Sequence, residues 1–447
     1  MNKSKNNISR RQFLKYIMLS LPPALSGGIF VSGCAIDPVT GQNQLMIISK
    51  QQEIDIDKHH SPFQFSADYG IIQDKKINKY ISDVGSSLVL NVHRPDMPYN
   101  FQCVNAAYIN AYAFPAGSIA VTRGILLKLD NEAQLAALLG HELGHVNARH
   151  TAEQVSKGQL SSILIEGLAV IADTQSSGLG KLTQQFGVLG QSVFLSKYSR
   201  DNEREADYLG NEYMVKAGYS SKGFVGLMEM LNSLHNGKQS FAQVLFATHP
   251  MSHERLAMAT HRANDQYYDT KDRDLKKERY MDNMASLRAQ KQVIEFLQKG
   301  EKYLAKKEYD NAQKSFQNAI NKGKNDYTAH VMMAKCLILK KNFSNAINYT
   351  NAAKEIYPKE AQVYNISGII NLELKKYQKA YQDFARYDKL LSGNPQITFY
   401  KGYSFDNSNN IEQAANQYLK YLKMVNYESN KYSKHAYARL KKWGYVQ

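Results

Sequence analysis

Apolar residues recur at helical spacing through Ala-Gln-Leu-Ala-Ala-Leu-Leu, residues 133–139, behind Asp130 and Asn131, either of which can cap a helix. The pattern predicts one strong helix from there to about Ala152. Ahead of it, Tyr99–Val104 and Ile119–Thr122 read as short strands parted by a loop containing Pro115 and Gly117. From about Gln51 the spacing is helical, and another helix is expected to begin near Asp201. Leu160–Ala172 is apolar for only 13 residues, which suits a buried helix and is too short for a membrane span. Asp265 to Lys277 is densely charged and reads as a surface linker.

The last third carries a period. Ala312, Ala346, Ala380 and Ala414 lie 34 residues apart, and so do Gly300, Ala334, Gly368 and Gly402. Phe316, Phe384 and Tyr418 keep a third register, with Thr350 as its exception. Small residues at fixed positions let paired helices approach, with aromatics filling between pairs. This spacing resembles tetratricopeptide repeats and predicts about four of them, with Lys431–Trp443 as a capping helix. Such stacks form an extended concave surface.

Composition adds limits. The chain has 447 residues, 43% hydrophobic and 21% charged, as a folded protein of two or three domains would. Its net charge is +16, and residues 291–447 hold 26 Lys+Arg against 13 Asp+Glu, so +13 of it sits there. Those basic residues are scattered lysines without a block of like charge. That suits a solvated helical surface, leaves an acidic partner or an anionic membrane face open, and argues against nucleic acid. Three cysteines make no disulfide framework; Cys103 and Cys336 are expected to be free and buried.

Residues 1–34 read as an address. Lys3, Lys5, Arg10 and Arg11 precede an apolar stretch, Tyr16 to Val31, broken by Pro22 and Pro23. Ser9 to Lys15 resembles a twin-arginine export signal, and Val31-Ser32-Gly33-Cys34 resembles a bacterial lipobox, with Cys34 as the acylated residue. By resemblance to lipoprotein sorting, Ala35 in place of Asp favours the outer membrane. The chain then divides into residues 1–34 (signal peptide), 35–50 (tether), 51–290 (first folded domain) and 291–447 (repeats and cap).

The first domain holds the candidate chemistry. His141-Glu142-Leu143-Gly144-His145 is an H-E-x-x-H motif on the predicted helix. Positions i and i+4 lie about 40° apart around a helix of 3.6 residues per turn, so both imidazoles can reach one Zn²⁺. Glu142 can then serve as general base without being a ligand. Gly144 removes a side chain under the metal. Glu203 and Asp207 form a second i, i+4 pair; Glu203 can complete a His₂Glu site, and Asp207 can accept the outer N–H of a ligand imidazole. Glu205 points away and is expected to be solvated. His150 falls on the opposite helical face and is not expected to be a ligand. His249, held before Pro250, is either a solvent or capping residue, or one that reaches the open zinc position or the oxyanion.

These pieces, with Asp37-Pro38-Val39-Thr40-Gly41, Asn110-Ala111, Pro115 to Gly117 and Ser199 to Asp207, resemble the zinc metallopeptidase family that includes the CAAX prenyl proteases. Within it they are most similar to the periplasmic branch bearing tetratricopeptide repeats. The resemblance covers most of residues 35–260. Ala116 departs from it, since many relatives have glycine there, which puts the local turn in question. The resemblance implies a mainly α chain: a zinc peptidase domain with a small sheet, then an α-solenoid. It implies one Zn²⁺ per chain and a substrate strand laid along Asn110 and Ala111. It further implies an endopeptidase of misfolded or unassembled envelope proteins, lipid-anchored in the periplasm, with repeats that meet the outer-membrane assembly machinery. The alternative is a repeat-directed chaperone or assembly factor with a latent peptidase site.

Overall fold

The computed structural model describes residues 48–156, 197–237 and 240–446, together with 34–36, 38–39, 41 and 43–45 of the N-terminal segment. The export signal and the Leu160–Ala172 segment lie outside the described residues. Strand β1 (Cys34–Ile36) pairs antiparallel with β2 (Asn43–Leu45). Helix α1 (Lys50–Ala67) starts on a capping box formed by Ser49 and Gln52, and α2 (Lys75–Val89) starts on Asp74.

A three-stranded sheet follows: β3 (Asn100–Val104), β4 (Ala111–Ala113) and β5 (Ser118–Thr122) in the order β3-β5-β4. β3 runs parallel to β5 and β4 antiparallel to it, so β4 is an edge among the described residues. Between β4 and β5 the turn is fixed by Asp57, whose carboxylate accepts from the N–H groups of Ala116 and Ser118 at 3.0 and 3.1 Å. Gly117 takes the positive φ of 97° that this turn needs, and a Cβ there would meet Tyr99. Ala116 therefore fits without strain.

The helix predicted to reach Ala152 is broken. After the short α3 (Arg123–Leu126), α4 (Glu132–Asn147) begins on the cap of Asn131, whose side chain accepts from Gln134 N–H at 2.9 Å. It stops at Asn147; Arg149 turns to φ 57°, and α5 (His150–Ser156) sets off anew. Buried side chains hold this break. Asn147 Oδ1 accepts from Arg94 N–H at 2.7 Å, and Arg149 pairs with Glu53 at 3.0 Å and donates to Ile48 O at 2.6 Å.

Helices α6 (Arg200–Lys216), α7 (Lys222–Asn236), α8 (Gln243–Thr248) and α9 (His253–Asn264) complete the region around α4. The charged stretch after α9 is largely exposed, as expected of a surface linker, but it is tied down at two points. Thr270 is buried and accepts from Ser221 N–H at 3.1 Å, and Arg273 donates to Val215 O at 2.8 Å. Helices α10 (Lys277–Asn283) and α11 (Ala285–Ala289) lead into the repeats.

Four helix pairs follow: α12 (Lys291–Ala305) with α13 (Tyr309–Lys322), α14 (Tyr327–Leu339) with α15 (Phe343–Ile356), α16 (Gln362–Glu373) with α17 (Tyr377–Leu390), and α18 (Pro395–Asp406) with α19 (Ile411–Met424), capped by α20 (Lys431–Lys442). The aromatic register packs within pairs. A Cβ on Gly300, Gly368 or Gly402 would strike Phe316, Phe384 or Tyr418 of the next helix at 2.8 Å or less. This accounts for the exception: where Thr350 replaces the aromatic, the facing position can carry a Cβ, and it is Ala334. Lys307, Lys341, Lys375 and Asn409, again 34 apart, take the positive φ that ends the first helix of each pair.

Residue 290 lies between α11 and α12, yet the core does not stop there. One buried apolar cluster runs from Phe65 through Leu297 and Met332 to Ile370. Gln298 donates to Ala107 O at 2.7 Å, Thr328 to Asn105 O at 3.2 Å, and Gln362 to Ala67 O at 2.9 Å. The first three helix pairs therefore pack on the preceding domain. No helix among the described residues is long and apolar enough to cross a membrane. Cys103 and Cys336 are free and buried.

Candidate metal centre

The site lies where α4 crosses α6. A Cβ on Gly140 would meet Gly210 O at 2.7 Å, and one on Gly144 would meet Ala206 O at 2.7 Å. Gly144 thus serves the helix crossing; the expectation that it clears space beneath the metal is replaced by this contact. The close approach delivers Glu203 to the two histidines of α4.

His141 Nε2 and His145 Nε2 are 3.1 Å apart, and Glu203 Oε1 is 3.3 Å from His145 Nε2. Glu203 Oε2 lies 3.6 Å from His141 Nε2. Tetrahedral zinc with bonds of about 2.0–2.1 Å needs ligand atoms roughly 3.3 Å apart, and these separations match. His249 joins the group, with Nδ1 2.9 Å from Glu203 Oε1 and 3.4 Å from His141 Nε2. All four residues are buried, and their candidate ligand atoms lie within 4.8 Å of one another.

Tautomers follow from the outer partners. His141 Nδ1 lies 2.9 Å from Asp207 Oδ1, so its proton belongs there and Nε2 presents a lone pair inward. His145 Nδ1 lies 2.9 Å from His150 Nδ1, and His150 Nε2 lies 3.1 Å from Glu205 Oε2. That chain places the inward lone pair of His145 in the same way. Two inward imidazole nitrogens and a carboxylate without a proton to share are a donor set that fits zinc.

Electrostatics agree. Burial alone would raise the Glu203 carboxyl, but Arg255, His249 and His145 hold it well below its ordinary range. Arg255 Nη1 is 2.6 Å from Glu203 Oε2, and its Nε and Nη2 grip Asp207 at 2.7 and 2.8 Å. Burial keeps the His145 imidazole well below its usual value, hence neutral. Burial also raises Glu142, whose Oε2 has no hydrogen-bond partner among the described residues. An unpartnered basic oxygen beside the ligand cluster is free to take a proton.

Three members of the site escaped the sequence reading: Arg255, His150 and Tyr198, whose ring stacks on His145 at 3.7 Å. His150 is absent from the ligand group, but the break at Arg149 turns it back to support His145. Glu205, expected in solvent, is that support's outer partner. On the sheet, Asn110 and Ala111 are fully buried, and the side-chain amide of Asn110 has no partner among the described residues. Ile109 N–H donates to Phe241 O at 2.8 Å, so the segment entering α8 lies over the start of the edge strand. Cys34 opens β1.

The peptidase family M48 model matches residues 75–263, which contain this whole cluster. Metalloprotease YcaL of Escherichia coli K12 is 30% identical over 183 residues, 41% of this chain and 68% of that protein. The chain belongs to peptidase family M48. Another member, metalloprotease LoiP of the same organism, is 32% identical over 179 residues, 40% of this chain and 67% of LoiP. The beta-barrel assembly-enhancing protease of Escherichia coli K12 is 26% identical over 263 residues, 57% of this M48 chain and 53% of that protein. The chain thus spans about half the length of the beta-barrel assembly-enhancing proteases it matches. A tetratricopeptide repeat model matches residues 303–368.

Proposed function

We propose that this chain is a zinc metalloendopeptidase acting on proteins of a bacterial envelope. The convergence of His141, His145 and Glu203 beside Glu142 carries the reading. Zinc, when bound, supplies Lewis acidity to a water and to the scissile carbonyl. Glu142 takes the proton of the attacking water and passes it to the leaving amine. Asp207 and the His150–Glu205 pair orient the two imidazoles, and Arg255 orients Glu203 and Asp207 together. Asn110 and Ala111 receive substrate as an added strand on β4 once the segment over that edge has moved. His249 holds the fourth position as a latch. Metal analysis tests the assignment. We expect about one zinc per native chain and nearly none in His141→Ala or Glu203→Gln. Full zinc in both variants would overturn it.

The envelope assignment rests on the relatives named beta-barrel assembly-enhancing protease and on the N-terminal signals. In this reading the repeats recruit unassembled envelope proteins or their assembly machinery, and a lipid on Cys34 anchors the protein at the outer membrane. Cys34→Ser is expected to move the protein from the membrane to the soluble envelope fraction. Unchanged fractionation would remove the lipid anchor from the proposal.

A further inference from the structure

Helix α20 buries Ser433, Ala436 and Leu440 against the last repeat. At 100° per residue, Lys431, Lys434, Tyr437, Ala438, Lys441 and Lys442 fall within an arc of about 140° on the opposite side, and all are exposed. Residues 431–446 contain four lysines and Arg439 but no Asp or Glu. Arg439 and His435 turn to Asp406, whereas none of these lysines takes part in an ion pair among the described residues. Tyr427, Tyr437 and Tyr445 are 64, 45 and 44% exposed. Four of the seven exposed large hydrophobic side chains among the described residues lie in the segment 411–445.

Solubility alone does not call for this face. A solvated surface mixes both signs, and Lys431 and Lys434 sit in the first turn, where the helix dipole disfavours cations. We propose that this outer face docks on an anionic phospholipid surface. Lysines are flexible point charges suited to a diffuse field of headgroups, while the one arginine, whose planar fork suits shaped carboxylates, is already engaged. Tyrosine, with an apolar ring and a wet hydroxyl, fits headgroup depth. The inference is independent of peptidase activity.

Vesicle flotation of the full chain tests it, comparing phosphatidylglycerol mixed into phosphatidylcholine with phosphatidylcholine alone. The N-terminal segment contributes equally to every variant, so differences isolate α20. Lys434→Gln, Lys441→Gln and Lys442→Gln together are expected to weaken partition to the anionic vesicles about 100-fold, roughly fivefold per lysine. Partition to neutral vesicles should not change. The corresponding Lys→Arg variant should keep binding, and added salt should weaken it. Circular dichroism checks the fold, since every substituted position is exposed. Equal partition of the native chain and the triple Gln variant on anionic vesicles would overturn the proposal.

Discussion

Glu142→Gln is expected to lower hydrolysis of an unfolded protein substrate by about 10²–10⁴-fold, the usual worth of a positioned general base. Zinc content and the melting transition should stay near native. Glu142 lies between His141 and His145 on α4 but is not among the four residues whose atoms converge. Its amide isostere therefore leaves the donor set intact. What it removes is the buried, unpartnered Oε2, the oxygen available to take a proton. Single-turnover hydrolysis alongside metal analysis makes the distinction. Loss of both zinc and activity would recast Glu142 as a ligand, and near-native activity would place the base elsewhere. The same variant separates the enzyme from its rival. If envelope proteins assemble normally in a Glu142→Gln strain, the repeats do the main work and the peptidase site is latent.

What could be read in the sequence depended on short periods. The i, i+4 spacings of His141 with His145 and of Glu203 with Asp207 fix which side chains share a helical face, whatever the helix packs against. The 34-residue register works alike, because each repeat contacts its neighbours in the same way. Its exception needed the structure, which shows the register of Thr350 facing that of Ala334. Long-range causes were hidden. The end of α4 depends on Glu53 holding Arg149, 96 residues away in the chain. No local signal separates Asn147 from a residue in mid-helix, so the turn of His150 toward His145 could not be inferred. Arg255 reaches Glu203 and Asp207 from about 50 residues downstream; only its nearness to His249 in sequence hinted at it. The neighbour of Gly144 is equally hidden, because helix periodicity says which side a residue faces and not that Ala206 lies there. The shared core was equally invisible: Leu297 and Met332 are ordinary repeat residues by pattern, and their burial against the first domain is a matter of tertiary packing.

His249→Ala is expected to raise proteolysis, including self-cleavage, by about 10- to 1000-fold with zinc retained. The geometry gives the direction. His249 Nδ1 sits 2.9 Å from Glu203 Oε1 and 3.4 Å from His141 Nε2, inside the ligand group, while its Nε2 is 3.9 Å from Glu142 Oε1. An imidazole there would take the position a catalytic zinc keeps for water, and would exclude the water Glu142 must activate. The surroundings hold it in place. Pro250 restricts His249 to its extended conformation, φ −118° and ψ 86°, and Arg255 donates to Pro250 O at 3.2 Å. Leu245, Phe246 and Met251 on either side pack with Leu227 and Leu231 in a small apolar pocket beside Glu142. The segment entering α8 also lies over the edge strand through Phe241, so one movement would open both the metal position and the substrate track. The magnitude follows from populations. If the open state is 0.1–10% populated, removing the latch raises the competent fraction by about 10- to 1000-fold. His141, His145 and Glu203, the three proposed ligands, remain in the variant, so metal analysis should not change. Lower turnover with zinc intact would instead assign His249 to the transition-state oxyanion. Unaltered turnover and unaltered self-cleavage would return it to the role of a capping residue at the end of α8.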